Sequence, residues 1–225
     1  MTRLRMGLLV MLSFGGAAAA GQPERAGVIA LPEPARSGDT SVEEALQRRR
    51  SIRAYTPEPL PLDVVAQLAW AAQGVTDSAT GFRAAPSAGA TFPLEIDLLI
   101  HGTPGLEDGV YRYLPSEHAL QQRISGDQRH AVHEAALRQP AILSAPVVMV
   151  IASVTERTAA RYGARAERYV HMEAGHAAQN VSLQGVALNV GSVVIGAFDD
   201  AALAAALDLD PREEPLYVVP LGFVP

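Results

Sequence analysis

The 225-residue chain contains no cysteine and no lysine. Without thiols it forms no disulfide, offers no thiolate to a metal and has no cysteine nucleophile. The redox compartment stays open, because such a chain tolerates either side of a membrane. All 18 basic residues are therefore arginine, set against 24 acidic ones for a formal net charge of −6. That balance argues against a protein that coats nucleic acid with a basic face. A G-x-G-x-x-G run is missing, and with it the dinucleotide fingerprint. G-x-S-x-G is missing too, which removes the serine-hydrolase elbow. No internal repeat or low-complexity tract follows the first residues. The apolar stretch GLLVMLSFGG is shorter than the ~20 residues a membrane span needs.

What is present divides the chain into three parts. Residues 1–20 join a short positive start, MTRLRM, to that apolar stretch and then to AAAAG, whose small residues suit cleavage. They read as a secretory signal peptide cut near Ala20, with an uncleaved N-terminal anchor as the alternative, and imply export to the periplasm. Arg3 and Arg5 are not adjacent, so a twin-arginine signal is not supported. Residues 21–40 read as an extended, proline-rich lead-in. Residues 41–225, with an apolar content of 48% for the chain as a whole, are long enough for one globular domain with a sizeable core.

Within that domain Ser41 and Glu44 form a capping-box signature for a helix running to about Arg50. Pro61 opens and Gly74 closes a second helix, with Leu62, Val65, Leu68, Ala69 and Ala72 on its apolar stripe. LEIDLLI, GVYRYL and HALQQRI read as strands. DQRHAVHEAALRQ reads as a helix, and APVVMVIAS as a buried central strand. A long helix carries Val170, Ala174, Ala177, Val181 and Leu188 on one face. SVVIGAF is a strand or strand-like turn, DDAALAAALDL a helix opened by Asp199, and PLYVVPLG the last strand. Helices and strands mix without a βαβ rhythm, which favours α+β over a doubly wound fold.

Four constellations carry chemistry. In RRRSIRAY, Arg49, Ser51 and Arg53 alternate, so an extended backbone turns them to one side. Guanidinium forks and a hydroxyl suit the oxygens of a terminal phosphate. The competing reading is a helix whose last turn carries cations that answer its dipole. APSAGATFP is small enough to let backbone approach a planar ligand, or is an ordinary surface loop. Glu173 and His176 form Glu-x-x-His on a helix, but a di-iron bundle needs a second copy and two further glutamates, and none is present. Metal binding is therefore not favoured, and Glu173, His176 and Asn180 read as a polar stripe. In GSVVIGAF, Gly191 and Gly196 bracket a short apolar segment suited to backbone N–H donation toward a heterocycle.

The order of these blocks, from RRRSIRAY and WAAQGVT through RAAPSAGATFPLEI, GVYRYLPSEHAL and RYVHMEAGHAAQNVSLQ to GSVVIGAFDD and EPLYVVPLG, resembles the nitroreductase family of FMN-dependent oxidoreductases. The closer likeness is to its SagB-type dehydrogenase branch. It covers about residue 41 to the end. The resemblance implies an α+β fold, a mainly antiparallel sheet flanked by helices, in a homodimer with FMN at the subunit interface. It implies that Arg49, Arg50, Ser51 and Arg53 hold the FMN phosphate and ribityl chain. Pro86, Ser87, Ala88 and Gly89 would reach FMN across the interface, and Val194, Ile195, Gly196 and Ala197 would line the flavin ring. Hydride or electrons would pass through flavin N5 between NAD(P)H, or a small organic donor, and an acceptor stacked on the ring. The alternative is a non-catalytic, dimeric binding module of the same fold in the cell envelope. Several positions depart from the family pattern. Ala90 and Phe92 stand where many members have Asn and Gln. PLGFVP carries no basic residue after the last strand. The Lys-Tyr pair of azoline-oxidising members has no lysine here, although Arg161 and Tyr162 occupy a comparable region.

Overall fold

The computed structural model describes residues 27–225. The signal-peptide reading of residues 1–20, and residues 21–26 of the lead-in, lie outside the described residues. In chain order the elements are β1 (Val28–Ala30), α1 (Val42–Arg48), α2 (Leu62–Gln73), β2 (Val75–Asp77), β3 (Phe82–Arg83), β4 (Leu94–Ile100), β5 (Gly109–Leu114) and β6 (Ala119–Ser125). Then follow α3 (Arg129–Ala135), α4 (Ala141–Ser144), β7 (Val147–Ser153), α5 (Thr155–Tyr162), α6 (Ala166–Ala187), β8 (Val190–Ser192), α7 (Asp200–Ala206) and β9 (Glu214–Phe223).

Seven strands form one sheet in the order β1-β6-β5-β4-β7-β9-β8, and their pairings are antiparallel. All seven residues of β7 are buried, which is why Val147–Ser153 is a continuous apolar run rather than an alternating one. Period-two geometry sends Val148 and Val150 to one face, with Val132, Ile142, Leu203 and Val218. Val147, Met149 and Ile151 go to the other, with Leu68, Ile96, Tyr111, Val170 and Ala174. Helices α2 and α6 thus cover one face, and α3, α4 and α7 the other. This is the α+β layering that the element pattern implies.

The lead-in does more than approach the domain. Its Val28–Ala30 pairs with β6 as the sheet's edge strand, and the buried Gln67 of α2 exchanges two hydrogen bonds, 2.8 and 3.0 Å, with the Ala35 backbone. Helix α1 is capped by Ser41 Oγ, which accepts from Glu44 N–H at 3.1 Å. Only half of the capping box forms, because the Glu44 carboxylate turns to Arg48 instead. Helix α5 goes unread in the sequence, since the face it turns inward carries Thr155, Thr158, Ala159 and Tyr162, a short stripe that is half threonine.

Buried charge ties the sheet to the loop before β9. Arg112 of β5 grips Asp97 through Nε and Nη2 at 2.8 Å each, and Glu213 at 2.8 and 2.9 Å. It also reaches Glu95 at 3.0 Å, while Arg123 adds a bond to Asp97 at 3.2 Å. Asp97 is fully buried, and the bonds from Arg112 and Arg123 meet the polar atoms that burial removes from water. Among the described residues no helix is long and apolar enough to cross a membrane.

Candidate functional site

The arginine-rich segment leaves α1 at Arg49, whose φ of −52° and ψ of 123° turn the chain out of the helix. Arg48 pairs with Glu44 at 2.7 Å. Arg50 folds back so that Nη1 donates to the carbonyls of Gln47 and Arg49 at 2.9 and 2.7 Å. These two arginines do what the helix-dipole reading expects. The segment then docks on the end of the sheet. Ser51 bridges Ser192 in parallel, Ile52 N–H donates to Ser192 O at 2.9 Å, and Thr56 N–H donates to Phe223 O at 3.0 Å.

Two glycines make this docking possible. A Cβ at Gly191 would fall 2.7 Å from Ile52 Cγ2, and one at Gly222 would fall 2.7 Å from Tyr55 Cβ. The Tyr55 hydroxyl shares its proton between Ile52 O at 2.8 Å and Pro220 O at 3.1 Å. Burial pushes its pKa upward, against the opposing charge of Arg53, so it remains a neutral staple. Arg49 and Arg53 make no side-chain hydrogen bond or ion pair with any described residue. Ser51 and Arg53 are exposed, and Arg49 is half-buried.

Beyond β8 the chain touches the sheet at one point. Ile195 exchanges both backbone bonds with Val218, at 2.9 Å each. SVVIGAF is therefore not a continuous strand. Ile195 is buried, while Val194, Gly196 and Ala197 are exposed. The amides of Val194, Gly196 and Ala197 meet no acceptor among the described residues. Gln139 Nε2 fixes this stretch by donating to Ala197 O at 3.3 Å. Cations and amide donors without a partner among the described residues thus share the β8–β9 end of the sheet, linked through Ser51 and Ser192.

Pro86, Ser87, Ala88 and Gly89 form a separate wall. Ala88–Ala90 is a single 3-10 turn that packs on α5 and α6. Gly89 has φ of 61°, and a Cβ there would stand 2.6 Å from the Tyr162 hydroxyl. Arg161 donates to Gly89 O at 3.1 Å. Ala90 and Phe92 also hold positive φ, 53° and 45°, a conformation that costs a non-glycine residue about 1–3 kcal/mol. Ser87 Oγ accepts from Phe92 N–H at 2.9 Å and closes the turn. Within one chain this turn backs onto α5 and α6, whereas Arg49–Arg53 and Val194–Ala197 sit at the β8–β9 end.

Beneath the turn lies Glu173, only 2% exposed. Burial pushes its carboxyl up to about 7, although the Ser87 hydroxyl, the Arg83 charge and the Ala88 amide favour the ion. Its Oε1 has no hydrogen-bond partner among the described residues. Arg83 donates to Gln73 Oε1 at 3.0 Å and lies 4.4 Å from the centre of the Phe92 ring. The aromatic residue at the departing position is thus a stacking partner for a cation. Asn180 Nδ2 donates to Ala84 O at 3.2 Å. The polar stripe therefore divides: Glu173 and Asn180 face the 83–88 loop and His176 is exposed. Sequence reasoning placed Glu173 on a stripe but missed Arg83, Gln73, Tyr55 and Gln139, whose roles arise from tertiary packing. Among the described residues no group of three or more His, Asp or Glu is placed to hold a metal ion.

Comparison with known proteins adds a consistent set of likenesses. A family model described as Nitroreductase family matches residues 46–223. A protein of Methanocaldococcus jannaschii assigned as a nitroreductase is 43% identical over 184 residues, covering 82% of this chain and 91% of the relative. A crystal structure from Ralstonia eutropha JMP134, likewise assigned, is 30% identical with a TM-score of 0.79, covering 88% of this chain and 90% of its own. A further crystal structure of such a protein, from Desulfovibrio desulfuricans and in complex with FMN, is 24% identical with a TM-score of 0.59, covering 82% and 86%. At that identity the last of these speaks for the fold alone.

Proposed function

Since this chain belongs to the nitroreductase family, we propose that it is an FMN-dependent oxidoreductase working as a homodimer. The observation that carries this reading is the shared end of the sheet. There two guanidinium groups, Arg49 and Arg53, lack a described partner beside three unpaired amides, those of Val194, Gly196 and Ala197. That donor set fits a phosphate at one end and a carbonyl- and nitrogen-edged ring at the other. Bound FMN would supply two-electron chemistry between NAD(P)H, or a small organic donor, and an acceptor.

The chain's own residues supply binding and polarity. Arg49, Arg53 and Ser51 would hold the phosphate and the chain attached to it, and Arg50 would add its remaining guanidinium donors. The amides around Ile195 would stabilise negative charge on the ring edge that they face. Exposed Val194 would offer an apolar surface to the ring. Pro86, Ser87, Ala88 and Gly89 would close the site from the second subunit. Val42 and Leu46, exposed at 65% and 53% on α1, are i and i+4 on one face and suit burial against another copy. The SagB-type reading within the family rests on the block order and on Ala90 and Phe92. Export to the periplasm rests on residues 1–20.

Anaerobic FMN titration of wild type beside Arg53→Ala tests the assignment. Loss of one charge-assisted bond of ~1.5–3 kcal/mol predicts a rise in Kd of roughly 10- to 100-fold. Riboflavin, which lacks the phosphate, should bind both proteins alike. Equal FMN affinity in the two would refute the phosphate assignment. A purified protein that is colourless and refuses added FMN would favour the non-catalytic module.

A further inference from the structure

From α5 to the start of α6, Arg157, Arg161 and Arg165 follow one another at four-residue spacing. Arg157 is spent on the Glu95 carboxylate and the Phe92 carbonyl. Arg161 and Arg165 are exposed and form no ion pair with any described residue. Each is held instead over an aromatic ring. The Arg161 guanidinium carbon lies 5.6 Å from the centre of the Tyr162 ring, and that of Arg165 lies 5.8 Å from the centre of Tyr169. The two rings meet edge to face, 5.1 Å apart. One aromatic pair thus carries two cations, a contact that steadies a guanidinium without consuming its N–H donors. Arg161 Nη1 also donates to Gly89 O at 3.1 Å, and Arg165 Nε to the Tyr169 hydroxyl at 3.1 Å. Other donors converge at the turn. A Cβ at Gly89 would stand 2.6 Å from the Tyr162 hydroxyl and 3.0 Å from Arg161 Nε, so both groups lie against the space that glycine leaves open. Neither donates to a described residue.

We propose that Arg161 and Tyr162, backed by Arg165, bind an anionic group, carboxylate or phosphate, on the molecule that exchanges electrons with the flavin. This rests on the flavin reading given above, in which the turn at Gly89 closes the site from the second subunit. Arg161 and Tyr162 lie against that turn and travel with it. A guanidinium stays protonated at any ordinary pH, so Arg161 takes no proton from a substrate. What it does instead is hold negative charge. With the phenol beside it, it presents donors to more than one oxygen of the same anion. Arg165 adds a second positive charge behind the shared rings and makes no bond to the turn. A chain of net charge −6 repels anions at long range, so two guanidinium groups without a carboxylate partner mark a place where one is admitted.

Calorimetric titration of the FMN-loaded protein with benzoate and its neutral isostere benzamide tests this. A second pair, NADP⁺ and NAD⁺, differs by a phosphate. Wild type should bind the anionic member of at least one pair roughly 10- to 100-fold more tightly, the worth of a charge-assisted hydrogen bond. The pair that discriminates identifies the anion as carboxylate or phosphate. Arg161→Gln removes the charge while keeping a donor for Gly89 O, and it should abolish the preference. Arg161→Lys should restore part of it, as a point charge without the fork. Arg165→Gln should weaken it about 2- to 5-fold, the worth of one exposed charge, and gives the answer should Arg161→Gln fail to fold. The bound anion should also perturb the flavin absorption band, which ties its site to the ring. Equal affinity within both pairs in wild type, or a preference undiminished in the glutamine variants, would overturn the proposal. So would an Arg161-dependent anion that leaves the flavin spectrum unchanged. If the protein takes up neither FMN nor riboflavin, the flavin reading fails, and the same titrations on flavin-free protein still decide whether the anion site exists.

Discussion

Replacing Glu173 by Gln should make the folded protein more stable at alkaline pH and leave it unchanged at mildly acidic pH. Its carboxyl ordinarily titrates at 4.5 and is pushed up to about 7 by burial, against the hydrogen bonds of Ser87 and Ala88 and the charge of Arg83. Between those values the folded protein holds a proton that the unfolded chain has released. Raising the pH therefore favours unfolding. The stabilising preference for the protonated form is fully present below about 4.5 and is gone above about 7. A shift of this size corresponds to about 3 kcal/mol, and residual solvent screening brings the expected effect nearer ~2 kcal/mol. Glutamine imitates the protonated acid at every pH. The stability of Glu173→Gln minus that of wild type should therefore climb by ~2 kcal/mol between about pH 5 and pH 8. Urea unfolding of flavin-free protein at one fixed concentration measures it, with the single tryptophan, Trp70, as reporter. In thermal unfolding the same amount is about 4–8 °C for a chain of this size. A difference that stays flat with pH, or falls, would show that Glu173 does not hold its proton in the folded state.

Arg112→Ala should cost about 3–5 kcal/mol at neutral pH, because Asp97 and Glu213 are left buried without their main partner. Glu213 is also raised by burial but drawn below its ordinary range by the hydrogen bonds and charge of Arg112. Its contribution is present above 4.5 and lost as the pH falls through the folded value, so the deficit in Arg112→Ala should shrink on acidification in denaturant melts. Gly191→Val would drive a side chain into Ile52, whose Cγ2 would lie 2.7 Å from the new Cβ. Overpacking of that kind costs about 1–3 kcal/mol. It should loosen Arg49–Arg53 and weaken FMN and riboflavin binding together, unlike Arg53→Ala, which acts on FMN alone.

The sequence made some levels of this structure readable and hid others, for identifiable reasons. Helix α2 could be read because Pro61 and Gly74 punctuate it and its apolar positions recur at helical spacing. Strand β7 could be read because burial on both faces leaves a run with no polar residue before Ser153. Helix α5 escaped because its inward stripe, Thr155, Thr158, Ala159 and Tyr162, is short and half threonine. Val28–Ala30 escaped because an edge strand of three residues carries no periodicity of its own. At the site, RRRSIRAY announced an anion-binding chemistry but not its division of labour. Arg48 and Arg50 serve α1, whereas Arg49 and Arg53 remain available. Glu173 was visible as a polar residue on a helix. Its burial depends on a loop some ninety residues earlier in the chain, and no local pattern encodes that contact.

The notches at Gly191 and Gly222 have a consequence for solubility. Strand β8 is the last in the sheet, and a bare edge of this kind is a template for pairing with another molecule. Ser51 and Ile52 occupy that edge. The segment proposed to hold the cofactor is also the guard that keeps β8 from recruiting a foreign strand. A substitution that frees the segment should reveal itself first as concentration-dependent aggregation, before any loss of helix or sheet is apparent. Ligand binding, by holding the segment down, should protect against it.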